Sequence, residues 1–174
     1  CKNRRDVLQQ LTAMPLLHTP GRVTAYSDPG FILLGEALER ISGQTLNALV
    51  QGKVLRPIGM HDTRYKPPRS WLERIAPTED DPWRGRMVHG KVHDENACVM
   101  GGIAGHAGLF STASDLARFA ECLLNDGIAQ GRRVFSSAVC EEFLQPSGLL
   151  KQKRWTMGWS GARTYTSTGY FFSP

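Results

Sequence analysis

Residues 21–43, GRVTAYSDPGFILLGEALERISG, place a tyrosine, a serine and an aspartate directly ahead of an amphipathic helix. Asp28 followed by Pro29 predicts the helix start, because an N-cap aspartate accepts hydrogen bonds from free amides and a following proline has no donor to lose. One capping group is enough, so Tyr26 and Ser27 are not needed for the helix to begin. Either these two residues are incidental, or the helix start presents them for chemistry.

The helix itself has one apolar face. Phe31, Leu34, Leu38 and Ile41 follow one another at i, i+3, i+7 and i+10, which is the helical period. Gly43 is predicted to end the helix, because glycine readily adopts the left-handed conformation found just after a last turn.

Residues 101–127, GGIAGHAGLFSTASDLARFAECLLNDG, predict a second helix. Thr112 and Asp115 form a Thr-x-x-Asp capping box at its start, and Gly127 ends it. The apolar positions between them repeat at the helical period: Leu116, Phe119, Ala120, Leu123 and Leu124.

The rest of the chain gives shorter predictions. Between Ser70 and Gly105 the polar residues show no period, and a loop of this length in a compact domain is usually functional. Further elements are predicted as helices over residues 3–13, from Thr45 to about Leu55 and from Ser136 to Leu144, and as a strand from Trp155 to Trp159.

Composition points to a globular domain and away from two classes of function. The 174 residues are 41% hydrophobic, with no apolar run near the ~20 residues that a membrane helix needs. The net charge of +5 comes from scattered basic residues, which argues against nucleic acid binding. The cysteines have neither zinc-site nor disulfide-framework spacing, so we interpret them as buried free thiols: Cys1, Cys98, Cys122 and Cys140.

Tyr26 has a chemical and a structural interpretation. A phenol whose pKa is lowered by a nearby cation can act as a general base toward a serine hydroxyl. Alternatively, Tyr26 is a buried tyrosine with a hydrogen-bond partner, and Asp28 only caps the helix. The three residues alone favour the structural interpretation, because so short a motif matches by chance.

Three other patterns partly resemble a metal site, a phosphate-binding loop and a penicillin-recognising strand. His89 and His93, with Asp94 and Glu95 beside them, have a spacing that suits zinc only on a helix, and Gly90 argues against one. The glycines around His106 match no phosphate-binding pattern and indicate loop packing beside a pocket. Ser167-Thr168-Gly169 has serine where penicillin-recognising enzymes have lysine, and we interpret it as a turn.

Several stretches taken together resemble one family. Tyr-Ser-Asp ahead of the helix, then VLRPIGMHDTRY (residues 54–65), then HDENACVMGGIAGHAGLFSTASDLARFAECLLNDG (residues 93–127) are similar to the serine β-lactamase and penicillin-binding protein superfamily. The similarity is greatest to its class C-like branch, to D-alanyl-D-alanine carboxypeptidases of the penicillin-binding protein 4B type. The segments occur in the family's order.

The resemblance implies roles for two residues. Tyr26 matches the tyrosine of the family's Tyr-x-Asn motif, which helps to move the proton of the nucleophilic serine. Asp28 stands where most members have the asparagine that contacts the substrate amide and the catalytic lysine. A carboxylate does not donate as an amide does, which places β-lactam hydrolysis in doubt, but it can pair with that lysine.

The resemblance also implies what is missing. No Ser-x-x-Lys tetrad occurs in the chain, and the family's Lys/His-Thr-Gly strand would follow Pro174. Residues 1–174 are therefore expected to be an internal fragment of one domain, an α+β fold represented mainly by its helical part and long irregular loops.

The implied parent is a serine hydrolase that forms an acyl-enzyme with D-Ala-D-Ala peptides, β-lactams or esters. It would work outside the cytoplasm, on a small molecule or a cell-wall peptide, without a metal or other cofactor. Two alternatives remain open: a non-catalytic binding or scaffold module of the same fold, and a metal-dependent hydrolase using His89 and His93.

Overall fold

The computed structural model describes residues 3–23, 25–145 and 156–159. Within them the chain is mainly helical, with three two-stranded antiparallel sheets, which confirms the α+β class. None of the described helices has the length and apolar character needed to cross a bilayer. The helices are α1 (Arg4–Ala13), α2 (Asp28–Ser42), α3 (Leu46–Val50), α4 (Arg56–Ile58), α5 (Glu95–Val99), α6 (Ala113–Leu124) and α7 (Ser137–Leu144). The strands are β1 (Arg64–Tyr65), β2 (Asp80–Asp81), β3 (Arg86–Met87), β4 (Leu109–Phe110), β5 (Ile128–Ala129) and β6 (Arg132–Arg133).

The predicted helix after Tyr26 is present, but its predicted cap is wrong. The N-cap is Ser27, whose Oγ accepts from the amide of Gly30 at 3.0 Å, and α2 begins at Asp28. Serine and aspartate are both good N-caps, and proline fits either early helical position, so sequence alone did not separate them. Gly43 ends the helix with φ 65°, as predicted.

The predicted helix from Thr45 to Leu55 extends a little further. Thr45 Oγ1 accepts from the amide of Ala48, α3 passes into a π-helical turn over Gln51–Leu55, and α4 carries the helix on to Ile58. Pro57 lies in the last turn of this continuous helix, directly after the π-helical turn. The chain turns away at Gly59.

The predicted start of α6 is half right. Thr112 Oγ1 accepts from the amide of Asp115, as a capping box requires, but the Asp115 carboxylate does not return to the cap. It is only 1% exposed, and its Oδ2 accepts from the Asp62 amide and the Thr63 hydroxyl, both at 2.8 Å. Asp115 therefore ties α6 to the segment before β1 and is a structural residue.

Two clusters of buried residues hold these elements together. The first joins α1, α2 and α5: Val7, Ile32, Ala97, Met100 and Ala104. The second joins the α3–α4 segment to α6: Leu55, Ile58, Met60 and Cys122. Of the predicted buried thiols, Cys122 and Cys140 are buried and free, Cys98 is half-buried and free, and Cys1 lies outside the described residues.

The apolar faces of α2 and α6 are largely exposed in this chain. Along α2 the exposed residues are Phe31, Leu34, Leu38 and Ile41, and along α6 they include Leu116 and Leu124. An amphipathic helix normally buries such a face against other parts of its protein. Residues 156–159 cover part of the α6 face, where Trp159 stacks on Phe119 with ring centroids 6.1 Å apart.

Two predictions near the C-terminus have different outcomes. The helix from Ser136 to Leu144 is confirmed as α7, with Ser136 as its N-cap. The predicted strand from Trp155 to Trp159 is wrong over residues 156–159, where the Thr156 amide donates to the Trp159 carbonyl in a turn. Trp155 and Ser167-Thr168-Gly169 lie outside the described residues.

The segment predicted to be irregular is a long excursion between two paired strands. Arg64 pairs with Phe110 and Tyr65 with Leu109, so the chain leaves and returns at one place. Between them, residues 66–108 hold a 3₁₀ turn over Arg69–Arg74, the β2–β3 hairpin and α5. We call residues 66–108 the excursion.

Candidate active site

Tyr26 lies at the mouth of an open cavity at the start of α2. The cavity has a volume of about 440 Å³, and residues 156–159 form part of its wall. The Tyr26 side chain is 80% exposed, so the interpretation of Tyr26 as a buried tyrosine is wrong. The lining residues are Ala25, Tyr26, Ser27, Gly30, Phe31, Leu34, Thr156 and Gly158.

The carboxylate of Asp28 lies near the Tyr26 hydroxyl. Interaction of the protonated hydroxyl with this carboxylate, together with the negative charge of Asp28, raises the pKa of Tyr26 above its ordinary value, and the carboxylate of Asp94 raises it further. The direction is opposite to the lowering that general-base chemistry needs. A nearby cation would reverse it, because a positive charge stabilises the phenolate.

Asp28 occupies the first turn of α2, where the helix itself favours a carboxylate. The helix N-terminus carries partial positive charge. Ser27 satisfies the Gly30 amide, so the Asp28 side chain is not required as the cap. Asp28 is also half-buried and within reach of the Tyr26 hydroxyl. The structure thus brings the two predicted site residues together.

A second pair of ionisable residues lies close to this site. The Nε2 atom of His106 is 2.8 Å from Oδ1 of Asp94, and the His106 side chain is only 4% exposed. Burial pushes the pKa of Asp94 up, but hydrogen bonds from the Ala97 amide and from His106 outweigh it and hold the pKa below its ordinary value. Asp94 is therefore an anion that also caps α5.

The glycine-rich loop before β4, which carries His106, packs closely against α2. Gly105 packs so closely that a Cβ added to it would lie 2.0 Å from the Phe31 carbonyl oxygen, and one added at Gly35 would lie 3.1 Å from the Gly105 nitrogen. Tyr65 fixes the same loop from the other side, donating from its hydroxyl to the Ala104 carbonyl at 3.2 Å. The loop packing predicted around His106 is confirmed.

Sequence reasoning did not find the Asp94–His106 pair. It treated Asp94 as part of a metal set and His106 as a loop residue. The two lie 12 positions apart in a segment without periodicity, and their contact is tertiary. The one local signal was Asp94 itself, an aspartate three residues before the Ala97 amide that it caps.

The histidines weighed as metal ligands have other partners. His89 Nε2 lies 2.9 Å from the Leu72 carbonyl and 2.7 Å from that of Ile75, while His93 contacts the Glu79 carboxylate. Residues 89–93 do not form the helix that the pair would need. In the part of the chain that the structure describes, no group of three His, Cys, Asp or Glu side chains is placed to hold a metal ion.

Comparison with known proteins defines the class. The family model described as Beta-lactamase matches residues 2–173, so the chain belongs to the β-lactamase family. The structure agrees: a penicillin-binding protein homologue from Caulobacter crescentus superimposes with a TM-score of 0.67 at 20% identity, over 98% of this chain and 50% of that one.

Two curated relatives are similar in sequence. A putative D-alanyl-D-alanine carboxypeptidase of Escherichia coli K12 is 32% identical over 190 residues, which cover 99% of this chain and 43% of the relative. A Bacillus subtilis protein named N-acetylmuramyl-L-alanine amidase is 31% identical over 172 residues, covering 91% of this chain and 38% of the relative. The chain thus spans less than half the length of either relative.

Proposed function

We propose that this chain is part of a serine hydrolase that acts through an acyl-enzyme on D-Ala-D-Ala peptides, β-lactams or esters. The observation that carries the proposal is the exposed Tyr26 side chain, beside the Asp28 carboxylate at the rim of the α2 cavity. Family membership and the carboxypeptidase name of the Escherichia coli relative support it.

The exposed apolar faces of α2 and α6 support a second part of the proposal. The chain spans only 43% of the Escherichia coli relative, and it has no Ser-x-x-Lys tetrad. We infer that residues 1–174 are one portion of a longer domain whose remainder covers these faces and supplies the serine and lysine. By the same resemblance, the protein acts outside the cytoplasm on a cell-wall peptide or a small molecule, without a cofactor.

In this mechanism Tyr26 moves a proton. The serine oxygen attacks the substrate carbonyl carbon, and its proton passes toward Tyr26 as the new C–O bond forms. The bond between the substrate carbonyl carbon and the leaving group then breaks, and the leaving group takes a proton. Water finally hydrolyses the ester that joins the acyl group to the serine. The lysine has two tasks: its charge would pair with Asp28 and would lower the pKa of Tyr26 from the raised value seen in this chain.

The alternative is a non-catalytic binding module of the same fold. The raised pKa of Tyr26 favours it, since no cation lies close enough among the described residues to lower that pKa. The two proposals differ in one property: only the hydrolase forms a covalent acyl adduct.

Labelling with a fluorescent penicillin tests both proposals. We expect the complete gene product to be labelled at one serine and to release D-alanine from a D-Ala-D-Ala peptide. The 174-residue chain alone should not be labelled, because it lacks the Ser-x-x-Lys tetrad. Stoichiometric labelling of the chain alone contradicts the fragment proposal. No acylation of the complete gene product by penicillin, peptide or ester contradicts the hydrolase and favours the binding module.

A further inference from the structure

A second cavity, of about 450 Å³, lies within the excursion and shares no lining residue with the Tyr26 cavity. Its wall is built from the segment after β1, the β2–β3 hairpin, the loop before α5 and the glycines after α5. Four of its lining residues are cations, and none is an aspartate or glutamate: Lys66, Arg84, Arg86 and Lys91.

Three of these cations have no counter-charge. Lys66, Arg86 and Lys91 make no ion pair or side-chain hydrogen bond with any residue that the structure describes. Like charges gathered around one concave surface repel one another and focus a positive potential inside it. An anion in the cavity relieves that repulsion, whereas a neutral or cationic ligand does not.

The fourth cation, Arg84, is buried and already fixed in place. Its side chain is 8% exposed and forms an ion pair with Asp81, and one guanidinium nitrogen lies 2.9 Å from the His93 carbonyl oxygen. The Nε atom is different, because it is buried and has no hydrogen-bond partner among the described residues. Since the Nε atom has no accessible surface, Arg84 takes part in the cavity through its position in the wall and not as a donor to a ligand.

The remaining wall suits a ligand with a small apolar part. Pro67, Val92 and Phe110 line the cavity beside the cations. Gly102 keeps the wall open, because a Cβ there would lie 3.3 Å from Cγ of Lys66, and its φ of +85° disfavours other residues.

We propose that this cavity binds the oxyanion group of a ligand, a phosphate or a carboxylate, through Lys66, Arg86 and Lys91, with Arg84 fixed in the wall beside them. The proposal does not depend on the hydrolase chemistry at Tyr26, since the two cavities have separate walls. It assigns a recognition role to the excursion.

Calorimetric titration of the complete gene product with inorganic phosphate, and separately with succinate, tests the proposal at constant ionic strength. The variant Lys66→Gln/Lys91→Gln removes two cations that are exposed and carry no structural contact. Lys53→Gln is the matched control, because Lys53 is an exposed lysine that lines neither cavity.

We expect saturable binding by the parent protein and by Lys53→Gln, and affinity about three- to tenfold weaker in the double variant, as for the loss of two partly exposed charge contacts. Binding of phosphate alone indicates a phosphate ester as the natural ligand, and binding of succinate alone indicates a carboxylate. Equal affinities in the double variant and the control, or no saturable binding of either anion, overturn the proposal.

Cys98 provides a measurement that locates the anion. Cys98 lines the cavity, whereas Cys122 and Cys140 are buried elsewhere. Saturating phosphate or succinate should slow alkylation of Cys98 by neutral iodoacetamide, measured by peptide mass spectrometry, and should slow it less in the double variant. An unchanged Cys98 rate at saturating anion places the binding elsewhere and overturns the proposal.

Discussion

Gly105 and Phe31 are in backbone contact: a Cβ built on Gly105 would lie only 2.0 Å from the Phe31 carbonyl oxygen. The contact packs the loop before β4 against the first turns of α2, and Phe31 also lines the Tyr26 cavity. The geometry of the candidate active site therefore depends on the absence of one methyl group.

Gly105→Ala should destabilise the protein by about 1–3 kcal/mol, because the backbone of the loop or of α2 must shift to admit the Cβ. Gly52→Ala is the matched control. Gly52 lies in the helical segment with nothing within 4 Å of its Cβ position, so alanine should stabilise by about 0.5–1 kcal/mol. Urea unfolding of both variants measures the difference; equal stability in the two would contradict the contact.

Tyr26→Phe in the complete gene product should lower the acylation rate by ~10²–10⁴-fold, the usual contribution of a general acid–base group. The unfolding free energy should be almost unchanged, since the Tyr26 side chain is largely exposed. Acylation rate and melting temperature are measured on the same preparation.

Tyr65→Phe is the matched control for Tyr26, with the opposite expectation. Tyr65 is buried and its hydroxyl donates to the Ala104 carbonyl, so removing it should cost about 1 kcal/mol of stability and leave the acylation rate near normal. If Tyr26→Phe and Tyr65→Phe both leave the acylation rate near normal, Tyr26 has no part in the mechanism.

Asp115→Asn should cost about 2–4 kcal/mol. The buried carboxylate accepts from the Asp62 amide, the Thr63 hydroxyl and Arg118, and an amide group turns a donor toward one of them. Asp80→Asn, at an exposed carboxylate, should change stability by less than about 0.5 kcal/mol. Chemical denaturation of the two variants compares them, and a loss at Asp115 no larger than at Asp80 would refute this role.

The Asp94–His106 pair should make stability depend on pH in the acid range. The pKa of Asp94 is lower in the folded protein than its ordinary value of 3.8, so the unfolded chain binds more protons between the two values. The stability that ionised Asp94 contributes is complete above the pKa that this residue has in the unfolded chain. It is lost as the pH falls through the lower pKa of the folded protein.

Asp94→Asn removes that titration but keeps an N-cap for α5, because asparagine caps as well as aspartate does. Below about pH 5 the variant should lose stability less steeply than the parent, measured by urea unfolding from near-neutral pH down to about 2. Parallel curves for the two proteins would show that Asp94 titrates alike in the folded and unfolded states.

The helices were largely predictable from the sequence, because capping residues and the spacing of apolar residues act over only a few positions. Thr112, Gly43 and Ser136 all behave as their residue types predict. The choice between Ser27 and Asp28 as the cap failed for a local reason, since two good caps stand side by side.

Tertiary features of the site were not predictable in the same way. The proximity of Tyr26 and Asp28 joins near neighbours in the sequence, and the resemblance pointed to both residues. Other contacts depend on how the excursion folds back on itself, in a segment whose apolar residues have no regular spacing. They are the Asp94–His106 pair and the approach of Lys66 to Lys91 around one cavity. No pattern in the chain encodes such contacts.

The pairing of β1 with β4 has a consequence for how this protein changes over evolution. Because Arg64 and Phe110 sit opposite each other, residues 66–108 form a cassette whose two ends meet. Its second half packs into the buried cluster with α1 and α2, through Ala97, Met100 and Ala104. Segments whose ends meet tolerate insertion and replacement, since the elements that carry them need not move. Lengthening or grafting the β2–β3 hairpin, which lies far along the cassette from the Gly105 contact, would diversify recognition while α2 and α6 stay in place.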